Sequence, residues 1–399
     1  MSAGLERIAP VGRRTCDHDA RFTDGQVAGW LGRLITRQID IEPMLPYRTE
    51  GATALFFGRD HEVRRLIGPG CRGGVILGVH QSGKSSLLHE LRQRLASTGR
   101  TVVGPLTLDT DQLASFLERT LELIDPAPSA AKTPTSWAKA IRAFAKTRGA
   151  PVFLLDEVDG LVQRDAETGH PVGRAIRALQ QDHHADFYLA GHLGLRAAVR
   201  KYGSPFRNVA DEVVLTGLTR DAARRLICEP IQGIGFEITD DQADRIFQGT
   251  AGMAKLIQEF CRRMLMGLRG HSDNVISDAL IARVEETPAY LDGVFHYFHD
   301  YGQTTVSRAL FLLTAVAEPV TRGSILKLLR ERGVALAPDR IDDDLTLLAS
   351  FGILDQSAPG SYRIPGSYLR RAIAVRDPNT LLAHQIAVLR ETGGDDDPA

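Results

Sequence analysis

One eight-residue stretch constrains this chain more than any other. Gly78-Val79-His80-Gln81-Ser82-Gly83-Lys84-Ser85 reads G-x-x-x-x-G-K-[ST]. Such a loop carries meaning only between a strand and a helix. Val75-Ile76-Leu77 before it is an apolar run with β-branched residues that suits a buried strand. After it, the leucines of Ser86-Leu87-Leu88-His89-Glu90-Leu91 fall at helical spacing. The glycines Gly78 and Gly83 let backbone N–H groups turn inward around a polyphosphate, and a helix opening near Gly83 points its positive dipole end at the same anion. Lys84 is placed to reach the β- and γ-phosphates, and the Ser85 hydroxyl to coordinate Mg²⁺. His80, Gln81, Ser82 and Ser86 complete the expected nucleotide-binding positions.

A second chemical centre lies downstream. Val152-Phe153-Leu154-Leu155-Asp156-Glu157 is four apolar residues followed by two acids, the pattern of a buried parallel strand with carboxylates at its C-terminal end. Ligands bind at that end in open α/β sheets. Asp156 is the expected Mg²⁺ partner, mostly through water, and Glu157 the base that polarises a water for attack on the γ-phosphate. Asp186 to His192 reads as another core strand. At its end His192 either sits beside the γ-phosphate or simply opens the next helix.

Thr101 to Leu108 and Glu212 to Leu215 supply two further strands. Five strands alternating with helices predict a parallel sheet covered on both faces. At 399 residues the chain is too long for one core. We divide it into an N-terminal extension (1–44), a core (45–217), a helical lid (218–290), a winged helix domain (291–377) and a C-terminal tail (378–399). In the extension, Gln26 to Arg37 carries the spacing of a short amphipathic helix. Asp60 is the expected N-cap of one helix and Thr219 of another running to about Cys228. Pro230 and the Gly233-Gly235 turn are expected between the first two lid helices. Three helical patterns from 305 to 351, then two apolar segments around Ser357-Ala358-Pro359-Gly360, predict a winged helix-turn-helix.

Composition excludes several classes. Hydrophobic residues make up 43% and charged residues 24%, ordinary for a soluble globular protein, and the net charge of −1 announces no global affinity for nucleic acid. No run of about eighteen apolar residues is present, so no membrane partner is expected. Cys16, Cys71, Cys228 and Cys261 form no C-x-x-C pair, so buried or free thiols and a cytoplasmic location are expected rather than a zinc site.

The order of these parts resembles prokaryotic AAA+/STAND-type P-loop ATPases, the group that includes archaeal replication-initiator-like ATPases. The resemblance spans roughly 45 to 375. It rests on Phe57-Gly58-Arg59-Asp60-His61-Glu62, Gly78 to Ser85, Val152 to Glu157, Leu189-Ala190-Gly191-His192 and Ser204-Pro205-Phe206-Arg207. It implies an α/β P-loop NTPase core with an all-α lid and a C-terminal winged helix. It implies ATP and Mg²⁺ as cofactors, a Gly58-Arg59 segment wrapping the adenine side, and Arg207 sensing or completing a γ-phosphate site; the alternative for Arg207 is a surface arginine before a strand. The chain departs from the pattern at Gly252-Met253-Ala254-Lys255, where many relatives have Gly-x-Pro; Lys255 is either a substitute phosphate contact or, in the preferred reading, a solvated lysine. The resemblance implies a nucleotide-controlled switch acting on a protein partner or in self-assembly. The alternative is a DNA-binding ATPase of initiator or transposition-helper type. Asp339, Asp342, Asp343 and Asp344 on the third helix of the winged domain, opposed there by Arg340 alone, would repel phosphate. Lys327, Arg330, Arg332, Arg370, Arg371 and Arg376 nearby are the residues able to touch a DNA backbone.

Overall fold

The structure is a computed structural model. It describes Tyr47 and residues 56–108, 113–124, 133–207, 209–268, 274–299, 304–317 and 319–392. The amphipathic pattern at Gln26–Arg37 and the acidic C-terminal end from residue 393 lie outside the described residues.

Five short, apolar segments form one parallel sheet: β1 (Gly73–Gly78), β2 (Val102–Thr107), β3 (Val152–Asp156), β4 (Asp186–Gly191) and β5 (Asp211–Leu215), in the order β2-β3-β4-β1-β5. Every residue of β1, β3 and β4 is buried, as strands covered on both faces require. Alternate residues feed two cores. Leu77, Phe153, Leu155 and Phe187 enter one, and Ile76, Leu154, Tyr188 and Ala190 the other. The Phe153 and Phe187 rings stack at 5.0 Å, and the Trp137 indole beside them donates to Thr120 Oγ1 at 2.8 Å. The register pairs Leu77 with Gly191 and Leu155 with Leu189, so the C-terminal ends of β1, β3 and β4 lie together.

Helices α1 (Asp60–Ile67), α2 (Lys84–Ser97), α3 (Leu113–Glu122), α4 (Pro134–Arg148), α5 (Asp159–Glu167), α6 (Pro171–Gln181) and α7 (Leu193–Arg200) accompany the sheet. Asp60 is the first residue of α1 rather than its cap. Arg59 holds the cap position, with no side-chain bond to the helix.

Beyond β5 the chain is helical: α8 (Arg220–Gly233), α9 (Asp240–Thr250), α10 (Ala254–Met266), α11 (Asp278–Glu285) and α12 (Pro288–His299). Thr219 caps α8 as expected, accepting from the Ala222 N–H. Pro230, however, lies inside α8 rather than in a turn. A proline removes the N–H that would meet the carbonyl four residues back. That carbonyl belongs to Leu226, and the buried Tyr47 hydroxyl lies 3.0 Å from it and 2.8 Å from the Ile227 carbonyl. A distant side chain thus satisfies the group that proline leaves open.

The C-terminal part runs α13 (Thr305–Ala317), β6 (Val320–Thr321), α14 (Arg322–Glu331), α15 (Pro338–Ser350), β7 (Asp355–Ala358), β8 (Ser361–Arg363), α16 (Ser367–Ala374) and α17 (Pro378–Thr392). Three helices precede an antiparallel hairpin that takes β6 as a third strand, in the order β6-β8-β7. Residues 378–392, expected as tail, instead form α17, which packs on α13 and buries Leu382, Ile386 and Leu389.

The acids of α15 are not a bare row. Asp344 is buried, accepting from Ser307 Oγ at 2.5 Å and from Arg340 Nε at 3.0 Å, and Asp342 pairs with Arg322 at 3.1 Å. Asp344 thus ties α15 to the start of α13, while Asp339 and Asp343 are exposed. Among the described residues, no helix is long and apolar enough to cross a membrane.

Candidate functional site

The loop after β1 turns sharply before α2. Gln81 has φ 58° and Gly83 φ 99°, left-handed values that suit glycine but strain glutamine. Strain of this kind, about 1–3 kcal/mol per residue, persists where surrounding structure enforces it, commonly at functional sites. Lys84 folds back over the loop, and its buried Nζ donates to the Gly78 and Val79 carbonyls at 3.1 and 3.0 Å. Burial pushes the Lys84 ammonium down to about 8, although the Asp156, Asp159 and Glu157 carboxylates favour its charge. The Ser82 hydroxyl is buried and finds no hydrogen-bond partner among the described residues. A buried hydroxyl left open in this way suits a ligand that brings acceptor oxygens.

β3 delivers the acids. Asp156 is buried, and its Oδ2 accepts from Ser85 Oγ at 2.5 Å, so the two expected Mg²⁺ partners meet. The Glu157 N–H donates to Asp156 Oδ1 at 3.0 Å. Glu157 itself adopts φ 53°, a second strained position, and its half-exposed carboxylate faces the cleft, 3.9 Å from His80 Nδ1.

β4 delivers His192, whose Nδ1 lies 3.4 Å from Lys84 Nζ. Burial and the neighbouring Lys84 charge push this imidazole down to about 4, so it is neutral near pH 7. Asp159 holds it in place by accepting from the His192 N–H at 2.8 Å and the Leu195 N–H at 2.9 Å. Sequence reasoning missed Asp159. An acid three residues beyond Asp156 looks like an ordinary helix start, and its partners are more than thirty residues away.

The other expected residues divide. Arg59 lines the cleft with Phe56, Phe57, Ser86 and the loop. Its guanidinium donates to the Thr216 carbonyl at 2.5 Å and to Glu62 at 3.1 Å. Gly58 packs against α8 instead: a Cβ there would lie 2.0 Å from that of Ala222, and its φ is 69°. Arg207 is absent from the lining; it is exposed, with its guanidinium 5.3 Å from the centre of the exposed Tyr202 ring. The turn before it is anchored, since Phe206 is buried and packs with Pro205 close over Gly173. Lys255, expected to be solvated, is instead half-buried and lines the cleft beside Gln258, and burial lowers its pKa. Of the two sequence readings, the cleft position favours the phosphate contact; the amphipathic pattern could not choose, because Lys255 lies at the start of α10 and faces the loop.

The parallel sheet, the loop cradling a buried lysine and the Ser85–Asp156 pair together define a P-loop NTPase. The model of the family described as novel STAND NTPase 1 matches residues 44–258, more than half of the chain, and the protein belongs to that family. Comparison with curated proteins returns no match. Among solved structures, the chain is similar to the Walker-type ATPase paby2304 of Pyrococcus abyssi, at TM-score 0.58 and 14% identity over 83% of this chain and 100% of that one. It is also similar to the ORC2 protein of Aeropyrum pernix, solved as ADPNP–ADP complexes, at TM-score 0.52 and 13% identity over 86% and 98%. At such identities the likeness speaks for the fold.

Proposed function

We propose that the protein is an ATP-binding and ATP-hydrolysing switch in which nucleotide state sets the position of the helical lid and C-terminal winged helix relative to the core. The convergence of Lys84, Ser85, Asp156 and Glu157 at the ends of β1 and β3, beside an unpartnered Ser82 hydroxyl, carries this reading. The loop N–H groups and Lys84 would bind the phosphates, and Ser85 and Asp156 would hold Mg²⁺. Bound Mg²⁺ supplies neutralisation of phosphate charge. Glu157 takes the proton of the attacking water, and neutral His192, fixed by Asp159, accepts or donates one hydrogen bond beside Lys84.

The switch reading draws on how the parts join. Lys255 and Gln258 bring α10 to the phosphate side of the cleft, so phosphate bound there would draw the helical part toward the core. Arg207, displayed to solvent beside Tyr202, suits contact with a second copy or a protein partner. The exposed Asp339 and Asp343 on α15 do not favour duplex DNA as that partner. The test is resonance energy transfer between a dye on α6 and one on α16 in a Glu157→Gln protein. A distance that differs between Mg·ATP and ADP is expected, and an identical distance in both defeats the switch.

A further inference from the structure

The P-loop pattern leaves its third position open, and this chain places a histidine there. His80 does not point away from the chemistry. Its ring lies 5.7 Å from that of His192, its Nδ1 is 3.9 Å from Glu157 Oε1, and one ligand atom from each of the three residues lies within 4.8 Å of the others. Hydrolysis as proposed above uses Glu157 and His192 and gives His80 no task.

We propose that His80, His192 and Glu157 form a second cation site, specific for a borderline first-row divalent ion such as Zn²⁺, and that its occupancy withdraws Glu157 from hydrolysis. The second half rests on the proposed ATPase reading; the first does not.

The ligand types separate the two sites. Ser85 and Asp156 offer oxygen alone, which suits Mg²⁺. Two imidazoles and one carboxylate suit Zn²⁺, Co²⁺ or Ni²⁺, with open positions left for water. The geometry needs modest closure. Bonds of about 2.0–2.2 Å place tetrahedral ligand atoms about 3.4 Å apart, roughly an ångström closer than here. His80 and Glu157 have side chains 47% and 43% exposed, so both have room to turn. His192 is the fixed point, its backbone held by Asp159. The Lys84 ammonium, 3.4 Å from His192 Nδ1, opposes a cation nearby, and the Glu157 carboxylate offsets it.

The test titrates nucleotide-free, full-length protein with CoCl₂ and follows the visible d–d absorbance. One Co²⁺ per chain, displaced by Zn²⁺, is expected. His80→Ala and His192→Ala should each weaken binding at least about a hundredfold, the upper end of what losing even an outer partner does. His61→Ala and Ser85→Ala should leave it unchanged. Thermal unfolding of each variant separates a lost site from a lost fold. Equal Co²⁺ affinity in wild type and in folded His80→Ala overturns the site. Turnover in Mg·ATP is then measured with and without Zn²⁺. Slowing in wild type but not in His80→Ala, each against its own zinc-free rate, supports inhibition; equal slowing in both overturns it. A protein without turnover would defeat the ATPase reading and the inhibition with it, while the absorbance still decides the metal site.

Discussion

The contact between the helical part and the C-terminal part is dry at its centre, where Phe260, Tyr290 and Tyr368 are buried, with the ion pairs Arg371–Glu285 and Arg376–Asp292 beside them, whereas the contact between the helical part and the sheet is lined with polar groups. On the dry side, Phe260 of α10 stacks on Tyr368 of α16 at 5.4 Å, and Tyr290 of α12 meets both edge-on. Such pairs add about 0.5–1.5 kcal/mol each beyond the area they bury. Beneath them Glu285 accepts from Arg245 at 2.7 Å through both oxygens and from the Tyr368 hydroxyl at 2.8 Å. Burial would raise the Glu285 carboxyl, but the Arg245 and Tyr368 hydrogen bonds hold it below the usual range. On the wet side, His80, Lys84, Lys255 and Gln258 face one another across an open cleft. A second cavity of about 840 Å³ opens where Thr216, Phe247, Ser350 and Tyr362 meet. Across that junction Arg196 donates to Ser350 and lies 5.2 Å from the centre of the Phe351 ring. The difference bears on the proposed switch: aromatic contacts join the helical and C-terminal parts, and the polar cleft is where a nucleotide-driven change would act.

The comparison breaks first at its wet side. Lys84→Ala removes the buried cation that the phosphates would meet, and affinity for ATP should fall about a hundredfold or more, as loss of charge-assisted contacts implies; calorimetry checks this. Glu157→Gln should leave Mg·ATP affinity within about threefold yet slow single-turnover hydrolysis about a hundredfold or more, since it removes the base and spares Asp156. The dry side is tested at Gly249. A Cβ there would come within 2.2 Å of the Tyr368 ring, which is buried and held by Glu285. Gly249→Ala should lower stability to chemical denaturation by about 1–3 kcal/mol, the usual cost of overpacking.

Acidity sharpens the contrast further. Free Lys84 titrates near pH 8, and phosphate bound beside it would favour the charged form and raise that value. Below pH 8 this group leaves nucleotide affinity flat. Above it, affinity should fall by up to about tenfold per pH unit, with proton uptake on binding. Calorimetry at pH 9 in two buffers of different ionisation enthalpy measures that uptake. The smallest effect belongs to Arg196→Ala. Global stability should drop by about 1 kcal/mol, the scale of one cation–π contact and one hydrogen bond. The α6–α16 distance distribution should nevertheless widen in the nucleotide-free protein.

Much of the sheet was legible because its signal is local. Val152 to Asp156 is apolar at every position up to the acid, and no tertiary partner is needed to read it. The loop at Gly78–Ser85 was legible for the same reason. What escaped depended on distant groups. Pro230 sits inside a helix, where the Tyr47 hydroxyl serves the Leu226 carbonyl that it leaves open. Asp159 matters because β4 ends beside it; for Lys255 the sequence left two readings open, and the way α10 faces the loop decides between them. The row of aspartates on α15 read as one acidic surface, yet Asp344 is a buried anchor for α13. Charge type is written in a sequence; which face a charge occupies is settled by packing.

Helix α17 has a consequence for genetics. It follows the hairpin and α16, where a reader of the sequence would trim the chain, yet it closes the apolar face of α13 with Leu382, Ile386 and Leu389. A stop codon just before residue 378 would therefore produce a misfolded or rapidly degraded protein rather than a shortened one. Such an allele would behave as a null for every activity at once, and would invite the false conclusion that its missing end is a recognition signal.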